Sequence, residues 1–344
     1  MVAGCATSKK GMTYTALRRD SGRTGSGGTN FRSRGGYHRS RRARVPFVAP
    51  AGQNQKLMQQ AVYKTADVWG LNIRYVEAGD GPVVLLPHGL SDSLLSWYCN
   101  IDHLADAGYH VIAPDMPGSG ESDKLSHLEY DPNSAAEFVY DFTQELGVEK
   151  LSLVGSSAGG LVAGLFSLEH PDMVEKMVLV GSGGFGRRVS WVLRVLSVPV
   201  LGEIMYQPWF NRKMEVTKRL FHRTPPILDE FLPEMDRLKA LPGARAVVLR
   251  SIRSSITLRG LREREYIIER LKDSKVPLMT VWGAEDRVIP VAHAEHARRE
   301  LPGSIVNVIP ECGHWPQMEK PDLFNPMLTD FLKGGPAQTA EHES

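Results

Sequence analysis

Three residues of this chain, Ser157, Asp286 and His314, are of the types that together turn a hydroxyl into a nucleophile. Ser157 is the centre of Gly155-Ser156-Ser157-Ala158-Gly159, a G-x-S-x-G run. Ahead of it, Leu151, Leu153 and Val154 spell a short buried strand, and behind it Ala158 to Leu168 spells a helix that opens on small residues. That context predicts a serine on a strand-to-helix turn too tight for large neighbours, above the free N–H groups of a helix N-terminus. A serine alone is a poor nucleophile; it needs a base, and the base needs an orienting group. The strand Leu278–Trp282, opened by Pro277, runs into a loop carrying Glu285 and Asp286, and the strand Ile305–Ile309 runs into Cys312-Gly313-His314-Trp315. In this reading His314 takes the Ser157 proton and later returns one to the leaving group, while Asp286 fixes the imidazole tautomer. Each partner also has a plainer reading. Asp286 would serve as a cap for the helix beginning near Val291, and His314 as an ordinary loop histidine. Their chain order and strand-end placement favour the site.

The elements that must bring these loops together are legible in outline. Strands are expected at Val68–Val76, Val83–Leu86, His110–Ala113, Lys150–Val154, Met177–Val180, Leu278–Trp282 and Ile305–Ile309. Helices are expected between them, notably Ser134–Leu146, Ala158–Glu169 and Val291–Glu300, with Pro321–Leu332 last. Strands alternating with helices imply an α/β fold with a mostly parallel sheet covered on both faces. Such sheets bind ligands beyond the carboxyl ends of their strands, where Ser157, Asp286 and His314 all fall.

With these motifs in hand, the chain from about Ala66 to Lys333 resembles the α/β-hydrolase superfamily. The order Ser157, Asp286, His314 matches that family's triad, and Asp286, four positions before Pro290, matches its spacing better than Glu285 does. His88-Gly89 looks like the oxyanion loop, which implies backbone donors at Leu90 and Ala158, with His88 itself structural. Asp115-Met116-Pro117-Gly118-Ser119-Gly120-Glu121-Ser122 looks like the family's D-x-x-G-x-G-x-S turn, with Asp115 structural. Gly183-Gly184 and Cys312-Gly313-His314-Trp315 are similar to segments of the hydrolases that cleave carbon–carbon bonds in ring-meta-cleavage products. That resemblance implies substrate-binding roles for Trp315 and for Arg237 as a carboxylate clamp. The chain departs from those enzymes in having His88-Gly89-Leu90-Ser91-Asp92 for a longer glycine-rich loop, and Ser156 for an asparagine. A serine nucleophile sets it apart from related haloalkane dehalogenases and epoxide hydrolases.

Between residues 184 and 274 the strand–helix alternation stops, and helical patterning suggests an inserted cap. Its stretch Val189 to Leu201 reads either as core packing or as the apolar wall of a substrate pocket, with Trp191 a candidate wall residue and Met205, Tyr206, Trp209 and Phe210 extending it. From 184 to 272 there are eighteen Lys/Arg and nine acids, and Arg237, Arg250 and Arg253 are candidates to meet a substrate carboxylate.

The domain plan is therefore a basic extension at 1–56, a core in two parts at 57–183 and 275–333, the cap at 184–274, and a tail at 334–344. With 344 residues and 42% hydrophobic composition, the chain can build one large domain with an insertion. Residues 1–56 carry twelve Lys/Arg and one acid; the remainder carries 29 basic and 38 acidic residues. So polar a segment buries no core and is expected to be disordered. Three readings compete for it: a dispensable extension, with Met58 near the working start, an organelle transit peptide, and a nucleic-acid-binding arm, the last least favoured. Cys5, Cys99 and Cys312, odd in number and widely spaced, suggest a reducing, cytoplasmic compartment, with organelle import if the extension is a transit peptide. No metal-ligand spacing, dinucleotide fingerprint or membrane-length apolar run is present, so no cofactor, metal or transmembrane segment is expected. The expected partner is a small-molecule substrate, and the oligomeric state is left open. The leading expectation is a carboxylic ester hydrolase for an apolar or aromatic substrate, working through an acyl-enzyme. The alternatives are a carbon–carbon bond hydrolase and a low-turnover ligand-binding protein of the same fold.

Overall fold

A computed structural model describes residues 58–126, 128–207, 220–225 and 228–334 of the chain. The expectations for residues 1–56, for Trp209 and Phe210, and for the tail past Gly334 lie outside the described residues.

The sheet has eight strands in the order β1-β2-β4-β3-β5-β6-β9-β10. These are β1 (Val62–Val68), β2 (Leu71–Ala78), β3 (Val83–Leu85), β4 (His110–Pro114), β5 (Leu151–Ser156), β6 (Val174–Val180), β9 (Leu278–Gly283) and β10 (Ile305–Ile309). From β4 to β10 every neighbouring pair is parallel, and only β1–β2 and β2–β4 are antiparallel. Successive side chains of a strand face opposite ways, and the apolar runs of the central strands are divided accordingly. Leu85, Ile112, Leu153, Leu179 and Trp282 join one core cluster, while Val84, Val111, Val154, Val180 and Val281 join the other. The first cluster is closed by α2 (Pro132–Glu145) and α3 (Ala158–Glu169). The second is closed by α1 (Tyr98–Asp106) and the helix Pro321–Lys333. This is the expected α/β architecture, with helices on both faces. Each fully buried aromatic or aliphatic side chain, such as Phe138 or Phe324, contributes about 2 kcal/mol to holding the layers together.

Local chemistry sets the boundaries. Helix α2 begins two residues earlier than expected because the Asp131 carboxylate accepts from the N–H groups of Asn133 (2.9 Å) and Ser134 (3.2 Å), with Pro132 in the first turn. Its buried Ala136, Val139 and Phe142 then recur at helical spacing. The expected strand Val68–Val76 is instead a hairpin. Trp69 and Gly70 both have positive φ (59° and 75°), which is the backbone of a tight primed turn, so the chain reverses where the alternation continues. Trp69 is held there by Nε1–H donation to Asp141 (2.6 Å) and an edge contact with Phe138. The insertion between β6 and β9 is also not helical throughout: β7 (Ile256–Thr257) and β8 (Gly260–Leu261) form a two-residue antiparallel ladder. Around it lie α4 (Trp191–Leu196), α5 (Leu201–Met205) and the helices Leu228–Lys239 and Ala244–Ser255.

His293, on the helix Ala292–Glu300, is a buried histidine whose pKa burial lowers to about 4. Between pH 4 and 6.5 the unfolded chain binds more protons at this site, so stability rises with pH there and falls on acidification. The loss attributable to His293 by pH 4 is about 3 kcal/mol. Denaturant midpoints at pH 7 and pH 4.5 should therefore diverge less in His293→Leu than in the native chain.

Candidate active site

Ser157 sits between β5 and α3 with φ 56° and ψ −116°, a sparsely populated conformation that costs about 1–3 kcal/mol. The surroundings hold it. Its N–H donates to the Val180 carbonyl (2.8 Å), and its carbonyl accepts from the N–H groups of Gly160 (3.1 Å) and Gly183 (3.2 Å). The flanking glycines are required by close approach. A Cβ on Gly155 would lie 2.3 Å from the Gly159 oxygen, and one on Gly159 would lie 2.3 Å from the Pro87 oxygen and 2.5 Å from that of His88. Gly159→Ala must push α3 away from the loop after β3. It should lower turnover at least 100-fold, with a lower melting temperature, as steady-state kinetics and thermal denaturation will register.

Asp286 and His314 come together at the ends of β9 and β10. The Asp286 Oδ2 accepts from His314 Nδ1 at 2.8 Å, and its Oδ1 accepts from the N–H groups of Val288 (2.7 Å) and Ile289 (2.9 Å). Both side chains are buried. A carboxylate only accepts, so Nδ1 carries the hydrogen and Nε2 keeps a lone pair. The helix near Val291 has no side-chain cap, so Asp286 is not spent as one. Glu285 does another job: its carboxylate accepts from the Cys312 N–H (2.8 Å), while Glu319 accepts from the Gly313 N–H (2.8 Å). The loop carrying His314 is thus tied at successive peptides, and the His314 N–H itself donates to the Leu220 carbonyl. Cys312 is fully buried, and burial pushes its thiol pKa up, which suits a packing residue.

Ser157 and His314 face one cavity of about 620 Å³. Neither Ser157 Oγ nor His314 Nε2 has a hydrogen-bond partner among the described residues, and the same holds for the N–H groups of Leu90 and Ala158. All four residues line the cavity. His88 braces the loop before Leu90. The Met116 N–H donates to its Nε2 (3.0 Å), which leaves the hydrogen on Nδ1 to donate to the Gly89 carbonyl (2.7 Å). Asp115 accepts from the N–H groups of Leu94 (2.8 Å) and Glu121 (2.7 Å), and burial raises its pKa. Ser91, on the same loop, is hydrogen-bonded to Tyr206 just past α5, a link 115 residues long with no local signal in the sequence.

The cavity walls are largely apolar, drawn from Trp69 and Phe138 on one side and from Val189, Leu196, Val248 and Ile252 on another. Trp191 and Trp315 both line it; Trp191 is 58% exposed and Trp315 4%. Arg237 does not line it, and neither do Arg250 or Arg253. The Arg237 guanidinium is held on the outside by Glu234 and Glu121, which raise its pKa, so the carboxylate clamp expected there is corrected to a surface ion-pair cluster. Arg250 is bonded to the Ser126 carbonyl and Arg253 to Glu203. Among the described residues the Lys and Arg side chains that border the cavity are Lys239 and Arg287, both passed over in the sequence because nothing local marks their direction. Burial lowers the Lys239 pKa, opposed by Asp236 and Asp92. Among the described residues no cluster of three or more His, Cys, Asp or Glu could hold a metal ion, and no helix is long and apolar enough to cross a membrane.

The strained serine follows β5, and the carboxylate–imidazole pair follows β9 and β10, of a mostly parallel sheet. The chain belongs to the alpha/beta hydrolase fold family, whose model matches residues 82–321. It is 35% identical over 291 residues to the dihydrolipoyllysine-residue acetyltransferase component of the acetoin cleaving system of Cupriavidus necator, covering 84% of this chain and 74% of that one. It is 30% identical over 264 residues to 2-hydroxy-6-oxo-6-phenylhexa-2,4-dienoate hydrolase of Comamonas testosteroni, covering 76% and 91%. Among solved structures, a membrane phospholipase A described as a bacterial virulence factor superposes with a TM-score of 0.70 at 28% identity, covering 82% of this chain and 88% of that one. The chain is an enzyme of the hydrolase class.

Proposed function

We propose that the protein is a serine hydrolase that cleaves carboxylic esters of apolar or aromatic groups through an acyl-enzyme. Ser157 attacks the ester carbonyl, His314 Nε2 takes its proton and returns it to the departing alcohol, and Asp286 orients and stabilises the imidazolium. The N–H groups of Leu90 and Ala158 receive the charge developing on the carbonyl oxygen. Water then repeats the sequence on the acyl-enzyme. The observation that carries this reading is the largely apolar cavity onto which Ser157 and His314 open, with Arg237 turned away from it. Residues 184–274 act as the cap that shapes the pocket, with 57–183 and 275–333 as the two parts of the core. The unpaired thiols Cys99 and Cys312 agree with a reducing compartment.

A second reading, hydrolysis of a carbon–carbon bond in a meta-cleavage product, is favoured by Trp315 lining the cavity beside His314 and by the Comamonas relative. An activity panel separates the two. p-Nitrophenyl esters of lengthening acyl chain should rise in kcat/KM as the apolar cavity fills, and a meta-cleavage product should turn over far more slowly. Preference for the meta-cleavage product would reverse the assignment.

A further inference from the structure

Seven large apolar side chains are exposed among the described residues, and five of them, Trp191, Val200, Leu201, Ile204 and Leu258, fall in one part of the chain. They are 43% to 70% exposed. Four lie on α4, α5 and the turn between them, and Leu258 is at the tip of the β7–β8 hairpin. These elements are joined. Gly202 lies so close to the end of α4 that a Cβ there would be 2.3 Å from the Leu196 oxygen, and Arg194 Nε–H donates to the Leu258 carbonyl at 2.6 Å. Val200, β-branched, is held at φ 69° with its side chain in solvent, a strained conformation that gains no burial.

The surroundings of this patch are positive. Arg188, Arg194, Arg259 and Arg262 are exposed and have no carboxylate partner among the described residues. The nearby acids are already neutralised, Glu203 by Arg253 and Glu263 by Arg187. The patch also meets the cavity: Trp191 is both 58% exposed and part of the cavity wall, and Met205 of α5 lines that wall as well. Clustered exposed apolar groups mark an interaction site. An indole and aliphatic side chains beside arginines that no carboxylate of the described residues neutralises suit the boundary between lipid headgroups and acyl chains.

We propose that the face formed by α4, α5 and the Leu258 turn docks on an anionic lipid surface, placing the mouth of the apolar cavity against the acyl layer. This bears on where an ester substrate would come from, but docking is read as binding, so its failure is separate from failure of the ester reading.

The test is cosedimentation of the full chain with vesicles of phosphatidylglycerol and, separately, phosphatidylcholine. The variant Leu201→Ser/Ile204→Ser/Leu258→Ser changes side chains that do not line the cavity and leaves residues 1–56 intact. The native chain should bind phosphatidylglycerol vesicles, and the triple variant should lose at least about tenfold in partitioning at an unchanged melting temperature. Arg259→Glu should weaken binding with a smaller dependence on salt. Should the triple variant melt early, Ile204→Glu alone carries the same expectation. Three results would overturn the proposal: no vesicle binding by the native chain, equal binding by the triple variant, or a native dimer that the triple variant turns into monomer without change in vesicle binding. The last would assign the face to a second copy of the chain.

Discussion

Under the proposed mechanism, Ser157→Ala should lower kcat for p-nitrophenyl esters by roughly 10⁵-fold and leave KM nearly unchanged. The alanine fits the site, because Cβ is already present at φ 56° and the backbone bonds to Val180 and Gly183 do not involve the hydroxyl. What is lost is the atom that forms the covalent bond. The melting temperature should therefore hold while a fluorophosphonate probe no longer labels the folded protein. Ser156→Ala is the internal control. Ser156 is fully buried and accepts from Gln317 Nε2 (3.3 Å), so its replacement costs about 1 kcal/mol of stability but retains turnover. If Ser156→Ala abolished hydrolysis and Ser157→Ala did not, the nucleophile would be misassigned.

Asp286→Asn should cost about 10⁴-fold in kcat, although it changes a single atom. The reason lies in what each oxygen does. Oδ1 accepts from the N–H groups of Val288 and Ile289, so an asparagine keeps its carbonyl there and turns its NH₂ toward His314. The imidazole must then accept at Nδ1 and carry its hydrogen on Nε2, where it donates toward Ser157 and has no lone pair to take the proton. Thermal stability should change little, since the two backbone bonds persist. A loss of less than about tenfold would mean that the tautomer is fixed by something other than Asp286.

The candidate site was more legible in the sequence than the packing. Ser157, Asp286 and His314 stood out because the proposed reaction requires those residue types and the parallel sheet places them after strand ends. Gly159 follows from the close approach of α3 to the loop after β3, and Gly155 from the approach of Gly159 within the turn itself. Arg237 was misread because residue type and neighbourhood do not reveal which way a cap helix presents a side chain. Glu121, 116 residues away, decides it. The Trp69–Gly70 reversal was hidden by apolar alternation that runs on across the turn. Its cause, Trp69 bonded to Asp141 on α2, is a tertiary contact. The strand order, with β4 between β2 and β3, and the Ser91–Tyr206 link rest on equally distant partners.

The two backbone bonds to Asp286 have a consequence for how this enzyme could acquire new substrates. Val288 and Ile289, whose peptides hold the carboxylate, also line the cavity, and the Val288 carbonyl accepts from the N–H of Ser190 at the entrance to the cap. In the proposed mechanism the orienter of the proton relay and part of the cavity wall therefore share one segment. A bulkier residue at 288 displaces the carboxylate as well as the ligand, so it should alter kcat together with KM. Adaptation to a new ester is freer at Val248 or Ile252 on the cap helix Ala244–Ser255, where shape can vary without disturbing the relay.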